Sequence, residues 1–225
     1  MSERAVVCLS GGLDSTVTLA IAAREHDVCA LHMSYGQKTA QRERQAFDAI
    51  CDHYGIAERL VAFQPALGGM GGSALTDENI EIPKQAPGVG IPVTYVPFRN
   101  GQILAVACAW AEVLGAHAVY MGAVQEDSSG YPDCRESFFA AIESAVREGT
   151  RPESRLRIVT PLLHVPKREI VRRGRDLDAP LHLSWSCYGE MEEACGECES
   201  CRLRMAAFAA AGVEDAIAYR DQPRR

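Results

Sequence analysis

Ala5-Val6-Val7-Cys8-Leu9-Ser10-Gly11-Gly12-Leu13-Asp14-Ser15-Thr16 is the stretch on which the fold turns. Five apolar residues in a row read as a strand buried on both faces, as a parallel sheet requires, and Ser10-Gly11-Gly12 ends it in a tight turn. A helix opens there, since Leu13, Val17 and Ile21 recur every four residues and lay one apolar stripe against a sheet. Two glycines let the backbone approach an anion, and the amides at the helix start and the Ser and Thr hydroxyls are donors directed at it. A strand-to-helix turn with no ligand would carry the same glycines. The loop lacks the lysine of a Walker loop and the third glycine of a dinucleotide fingerprint, so neither of those assignments applies.

Outward from this loop the unit repeats. Residues 28–33 read as a second strand. Residues 41–54 read as a helix with Ala46, Phe47, Ile50 and Tyr54 on one side and Arg42, Arg44, Gln45 and Asp48 on the other, closed by Gly55. Residues 60–63 are a third strand. From 64 to about 99 the pattern dissolves into Gly, Pro and polar residues, too long for an idle connection, and is expected to be a mobile flap over the site. Residues 103–114, apolar nearly all round, predict a buried helix ending at Gly115, and 118–121 a central strand. A second Gly- and Asp-rich loop spans 122–135. Phe138, Phe139, Ile142 and Val146 then mark a helix closed by Gly149, 156–159 a further strand, and 166–175 another helix with proline in its first turn. This alternation defines an α/β fold, a Rossmann-like doubly wound parallel sheet with ligands beyond the carboxyl ends of its strands. It is assigned to residues 1–180. Residues 181–225 form a C-terminal four-cysteine segment and closing helix.

The chain has 225 residues, 47% of them apolar, which excludes a disordered tail. Its net charge of −7 disfavours a nucleic-acid or membrane-surface partner. The longest apolar run, 103–111, is far shorter than the ~20 residues of a membrane span. The N-terminus lacks the order of a secretory signal, so a soluble cytoplasmic protein is expected. The nine cysteines are an odd number and form no disulfide framework. Cys8, Cys29, Cys51 and Cys108 stand among apolar residues as small hydrophobes. Cys187, Cys195, Cys198 and Cys201 crowd into fifteen residues with two overlapping CxxC spacings. Four thiolates satisfy tetrahedral zinc and leave no open position, so such a metal is structural. An iron–sulfur ligand run or a redox dithiol are the rival readings. The six histidines show no paired spacing, and Lys167, Arg168, Arg172, Arg173 and Arg175 read as a solvated helix face.

In the loop that follows the central strand, Asp127, Tyr131, Asp133 and Arg135 combine an aromatic ring, carboxylates and a guanidinium. Such groups can pair with an amidine edge, stack on a heterocycle and grip a carboxylate, although a surface turn would also carry them.

The string SGGLDST resembles the pyrophosphate loop of the ATP-pyrophosphatase superfamily. With it, Tyr35-Gly36-Gln37, Val96-Pro97-Phe98-Arg99-Asn100, SGYPDCR at 129–135, Thr160-Pro161-Leu162 and the four cysteines follow the order seen in the 7-cyano-7-deazaguanine synthase family, from about residue 4 to 212. Leu13 stands where that family often has glutamine, and Val124 and Ser128 where it often has cysteine and phenylalanine. The loss of that cysteine argues against thiol chemistry at position 124.

The resemblance implies an adenine-nucleotide-hydrolase-type fold with a small zinc segment, one zinc per chain on the four cysteines, and ATP with magnesium as co-substrate. It implies nitrile synthesis from 7-carboxy-7-deazaguanine and ammonia through an adenylate and an amide, in queuosine biosynthesis. ATP would lie against Leu9, Ser10, Gly11, Gly12, Leu13, Asp14, Ser15, Thr16, Val17, Thr18 and Leu19. Ser10, Asp14, Ser15 and Arg99 would serve catalysis, with Lys167 a further cation. Arg99, Asn100, Asp127, Tyr131, Asp133 and Arg135 would hold the deazapurine. Asp14 would either hold magnesium or orient phosphates. The partners expected are small molecules and a second copy of the chain as a homodimer, with no nucleic acid or membrane. A tRNA-thiolating or protein-modifying relative, or a non-catalytic nucleotide-binding module, are the competing functions.

Overall fold

The structure, a computed structural model, describes residues 2–84, 90–125, 130–189 and 192–220. Strands β1 (Arg4–Cys8), β2 (Asp27–Ser34), β3 (Arg59–Phe63), β4 (Ala118–Met121) and β5 (Arg157–Val159) pair in parallel in the order β3-β2-β1-β4-β5. The chain moves outward from β1 through β2 to β3, then returns to the other side of β1 for β4 and β5. Strand order therefore reverses between β1 and β4, and the crevice beyond their carboxyl ends is where such a sheet takes a ligand.

Period-two alternation puts the apolar strand residues on both faces. Val6, Cys8, Leu31, Val119 and Met121 face α4 (Arg99–Leu114) and α5 (Glu136–Gly149). Ala5, Val7, Leu9, Ala30 and Tyr120 face α1 (Leu13–Ala22) and α2 (Ala40–His53), where Leu19, Phe47, Ile50 and Cys51 cover them. Burial pushes the thiols of Cys51 and Cys108 up to about 12 and about 11, so these cysteines are protonated packing groups. A further layer lies on the outer side of α1, where Leu13 and Val17 meet α6 (Lys167–Asp176) and α7 (Glu199–Ala211) through Ile170, Val171, Ala207 and Phe208.

Two expectations change. The helix expected over 103–114 begins at Arg99 and is not buried all round: Ala105, Ala109 and Val113 line an exposed stripe, with Val113 77% exposed. The sheet covers only one side of this outermost helix, and small apolar residues do not reveal in which layer a helix sits. The irregular stretch after β3 also carries structure, namely the short helix α3 (Pro65–Gly69) and a satellite core of Leu67, Leu75 and Val96 on Met33 and Tyr35.

Gly122, just past β4, lies against the first turn of α1. A Cβ there would stand 2.9 Å from the Asp14 carbonyl carbon and the Ser15 nitrogen. These are backbone atoms of the helix start and cannot yield as a side-chain tip can. Gly122→Ala is expected to lower the free energy of unfolding by about 1–3 kcal/mol, read as a shifted urea midpoint with unchanged slope.

His32 is 1% exposed. Its Nδ1 lies 3.3 Å from the Leu9 carbonyl and its ring packs on Phe47. Burial lowers its pKa from 6.5 and outweighs the opposing pull of Glu43. The folded protein thus binds fewer protons at this site than the unfolded chain, so stability is intact above pH 6.5 and falls as pH drops below it. Replacing His32 with glutamine is expected to flatten the denaturation midpoint between pH 7 and pH 5.

Candidate active site

The loop after β1 is fixed before any ligand arrives. Gly11 has φ +87°, a conformation L side chains rarely adopt, and a Cβ on it would stand 2.7 Å from the Glu43 carbonyl oxygen of α2. Gly12 is the extended N-cap of α1, and its carbonyl accepts the Thr16 amide at 3.0 Å, the Ser15 hydroxyl at 3.0 Å and the Thr16 hydroxyl at 2.8 Å. The Gly12 amide donates to the Ser10 hydroxyl oxygen at 3.2 Å, and the Ser10 and Ser15 hydroxyls lie 3.1 Å apart. The amides of Leu13, Asp14 and Ser15 precede the first intrahelical bond, and with the hydroxyls they make a donor cluster at the positive end of the helix dipole. Leu9, Ser10, Gly12, Leu13, Asp14 and Ser15 line a cavity of about 330 Å³. Gly11 and Thr16 support the loop from behind. Val17 and Leu19 are core residues and Thr18 is fully buried, so none of these three reaches the cavity.

Lys167, the first residue of α6, donates to Asp14 Oδ2 at 2.7 Å across 153 positions of sequence. Both side chains are largely shielded, 19% and 25% exposed, and Asp14 Oδ1 is buried with no hydrogen-bond partner among the described residues. The opposite wall comes from the start of α4. Arg99 donates to the Tyr35 hydroxyl at 3.2 Å. Burial works against its charge, but Tyr35 and the Asp133 carboxylate outweigh that, and the guanidinium is held above its ordinary value.

Asn100 is bound to the second loop: its amide donates to Asp133 Oδ2 at 3.0 Å, and its side-chain nitrogen donates to the Asp133 carbonyl at 3.0 Å. Tyr131 shares a 2.7 Å hydrogen bond with Thr94 and lines the cavity with Arg99, Asn100 and Cys134. Arg135 is exposed at the N-cap of α5 and does not line it. Asp127 lies outside the described residues. Gly90 and Pro92, from the stretch expected to be a flap, complete this side.

The four sulfurs of Cys187, Cys195, Cys198 and Cys201 lie within 4.8 Å of one another, a group whose donor set fits a metal ion. The Cys195 amide donates to Cys187 Sγ at 3.4 Å, and the amides of Glu197 and Cys198 donate to Cys195 Sγ at 3.4 and 3.3 Å, bonds that favour thiolate over thiol. Cys198 and Cys201 also donate to Cys187, which holds its thiol far below the usual range, while the contact with Cys187, together with burial, pushes Cys198 up to about 11 against the opposing pull of Cys201. A bound dication relieves this crowding, and zinc is the ion that four sulfurs suit. Trp185, Ser186, Cys187 and Tyr188, with Glu199 and Ser200 of α7, wall the cavity next to the loop that follows β1.

Tyr35, Gln37, Thr39 and Glu43 also line the cavity, and reasoning from residue chemistry assigned them no role. Gln37 and Thr39 both donate to the Glu43 carboxylate, at 2.9 and 2.7 Å. The Tyr35-Gly36-Gln37 string was the available signal. Trp185, Ser186 and Tyr188 carried none beyond their nearness to Cys187.

A parallel sheet with a glycine turn and a helix start at its switch point, opening on a cavity bordered by Cys187 of a quartet that could hold a metal ion, is the arrangement of a nucleotide-binding α/β enzyme. Residues 4–212 match the family described as queuosine biosynthesis protein QueC. The chain is 51% identical over 222 residues, 98% of each sequence, to the 7-cyano-7-deazaguanine synthase of Chlorobaculum tepidum. It is 52% identical over 221 residues, 96% of this chain and 93% of the relative, to that of Koribacter versatilis. Among solved structures, NMN synthetase from Francisella tularensis is similar at TM-score 0.48 and 16% identity, covering 95% of this chain and 79% of that one. The chain belongs to the QueC family.

Metal analysis of the purified protein is expected to give one zinc per chain. Cys198→Ser is expected to lose the metal and lower the melting temperature, because the segment around the quartet has few large apolar residues with which to fold without it.

Proposed function

We infer that this chain is a cytoplasmic 7-cyano-7-deazaguanine synthase, converting 7-carboxy-7-deazaguanine, ammonia and ATP into the nitrile for queuosine biosynthesis. The observation that carries this reading is near-full-length identity of about half to synthases of that name, in a chain whose glycine turn, Arg99 wall and Cys187 of the cysteine quartet border one cavity. In the first stage the substrate carboxylate oxygen attacks the α-phosphorus and pyrophosphate leaves. Ammonia then adds to the acyl carbon, AMP departs, and a proton is lost to give the amide. In the second stage the amide oxygen attacks the α-phosphorus of a second ATP and pyrophosphate leaves; the resulting imidate expels AMP and loses both of its N–H protons, which leaves the nitrile.

No covalent nucleophile is required of the protein, which has to align the reactants, exclude water and stabilise phosphate charge. Ser10, Ser15 and the α1 amides receive the phosphates, and Lys167 stands where negative charge develops. Magnesium accompanying the triphosphate would neutralise further charge, and Asp14 Oδ1, which has no hydrogen-bond partner among the described residues, suits a cation. Arg99 grips the substrate carboxylate, and Tyr131, Asn100 and Asp133 shape the pocket for the heterocycle, with Asp127 contributing from the same loop. Arg135 acts at its rim. The exposed apolar stripe of α4, together with Phe98 and the half-buried Phe138 of α5, supports assembly as a homodimer.

Purified protein given ATP, magnesium, ammonium and 7-carboxy-7-deazaguanine is expected to form the nitrile, AMP and pyrophosphate, followed by mass spectrometry. ATP binding without product would sink the assignment. Lys167→Met, which removes a preorganised cation, is expected to reduce kcat by about 10²–10³.

A further inference from the structure

The cysteine segment touches the phosphate loop directly. The Trp185 amide donates to the Gly11 carbonyl at 2.8 Å, tying residues 184–188 to the loop residue held in the left-handed conformation. Two residues on, Cys187 is one of the four sulfurs. The segment is also gripped from behind by Arg204 of α7, which is 1% exposed. Its guanidinium donates to the Ser184 hydroxyl at 2.8 Å and the Leu181 carbonyl at 3.1 Å. On its other side it forms a bidentate pair with Asp215 at 2.8 and 3.0 Å. Asp215 also accepts the Tyr219 hydroxyl at 2.7 Å, and the chain at Tyr219 bridges back to Ala194, next to Cys195. A path of short polar contacts and adjacent residues thus runs from the quartet, through the bridge at Ala194 and Tyr219, to Asp215, Arg204 and Ser184, and through Trp185 to Gly11.

We propose that this path couples the metal site to the phosphate loop: the filled quartet and Arg204 position Gly11 through the Trp185 amide, so that zinc and the phosphates of ATP bind cooperatively. A metal that merely stitched the C-terminal segment together would need no bond to the loop. Here the bond is made at Gly11, whose carbonyl must keep one orientation if the Gly12 amide of the same peptide is to hold the Ser10 hydroxyl oxygen and leave that hydroxyl facing the cavity. Arg204 is a positioning residue in this scheme, acting through Ser184 and Trp185. Its planar fork serves Asp215 on one side and the 181–186 turn on the other, a geometry lysine cannot reproduce.

The inference rests on the reading that ATP phosphates occupy this loop, and linkage makes it measurable without altering the chain. Whatever factor zinc adds to ATP affinity, ATP must add to zinc affinity. Zinc affinity of the wild-type protein is measured by competition with a fluorescent chelator, alone, with saturating magnesium-ATP, and with adenosine, which lacks phosphates. The expected result is a tightening of zinc by about 5-fold or more with ATP and none with adenosine. Arg204→Lys is expected to retain one zinc per chain yet lose most of that factor.

Zinc affinity indifferent to ATP, or raised equally by adenosine, overturns the coupling while leaving the functional reading standing. Failure of ATP to bind at all, seen directly by calorimetry, overturns both.

Discussion

Three stretches of backbone close on the start of α1, and the rest of the site depends on that convergence. Gly11 lies against the Glu43 carbonyl of α2, Gly122 against the backbone of Asp14 and Ser15, and the Trp185 amide against the Gly11 carbonyl. Each contact is too close for a side chain to intervene, so the loop has one shape set by its neighbours rather than by its ligand. Donors held in this way need little reorganisation when charge arrives, which is the condition under which hydrogen bonds lower a barrier most. The sheet's switch point supplies the crevice; the crowding of backbone around it supplies the rigidity.

How much of this was legible follows from the range of the interactions involved. The strand, turn and helix around Ser10-Gly11-Gly12 are dictated within a dozen residues, so their reading and the doubly wound sheet both emerge from the chain alone. The four cysteines were legible for the same reason. The exposed stripe on α4 was not, because Ala105, Ala109 and Val113 have no polar character to mark an outer face. Nor was the satellite core of Leu67, Leu75 and Val96, where single apolar residues spaced irregularly cohere only by packing on β2 and its extension. In the site, Asp14 was recognised from its loop, but its 2.7 Å partner stands 153 residues away. Glu43 and Trp185 reach the cavity through the crossing of the chain, and no local spacing announces that.

The C-terminal segment shows how a short stretch is ordered without a large core. Between Leu183 and Arg202 few bulky apolar residues are present, and the thiol quartet and the Arg204–Asp215 pair replace them as the cohesive groups. A buried ion pair is stabilising only when its remaining hydrogen-bonding capacity is filled. Arg204 meets that condition through Leu181 and Ser184, and Asp215 through Tyr219. These contacts are directional, whereas apolar packing is adaptable. A segment that walls the cavity and bonds to the Gly11 turn is better fixed by directional groups, since small displacements there move the donors at the start of α1.

The same logic bears on charge. The protein carries a net −7, so on the proposed reading, in which the site receives a triphosphate, the long-range field is unhelpful. Screening confines the matter to groups within about 10 Å, and there the Arg99 guanidinium, the Lys167 ammonium and the helix dipole face the cavity. Lys167 is bonded to Asp14 in a largely shielded position. An incoming phosphate therefore competes with a carboxylate for the ammonium, and if it wins it strands that carboxylate beside its own negative charge. The exchange becomes favourable only when Asp14 receives a replacement cation, which a triphosphate bringing its own divalent ion supplies and a bare one does not. On the reading that a triphosphate occupies this loop, the Lys167–Asp14 pair would thus favour an anion that brings its own cation over one that does not.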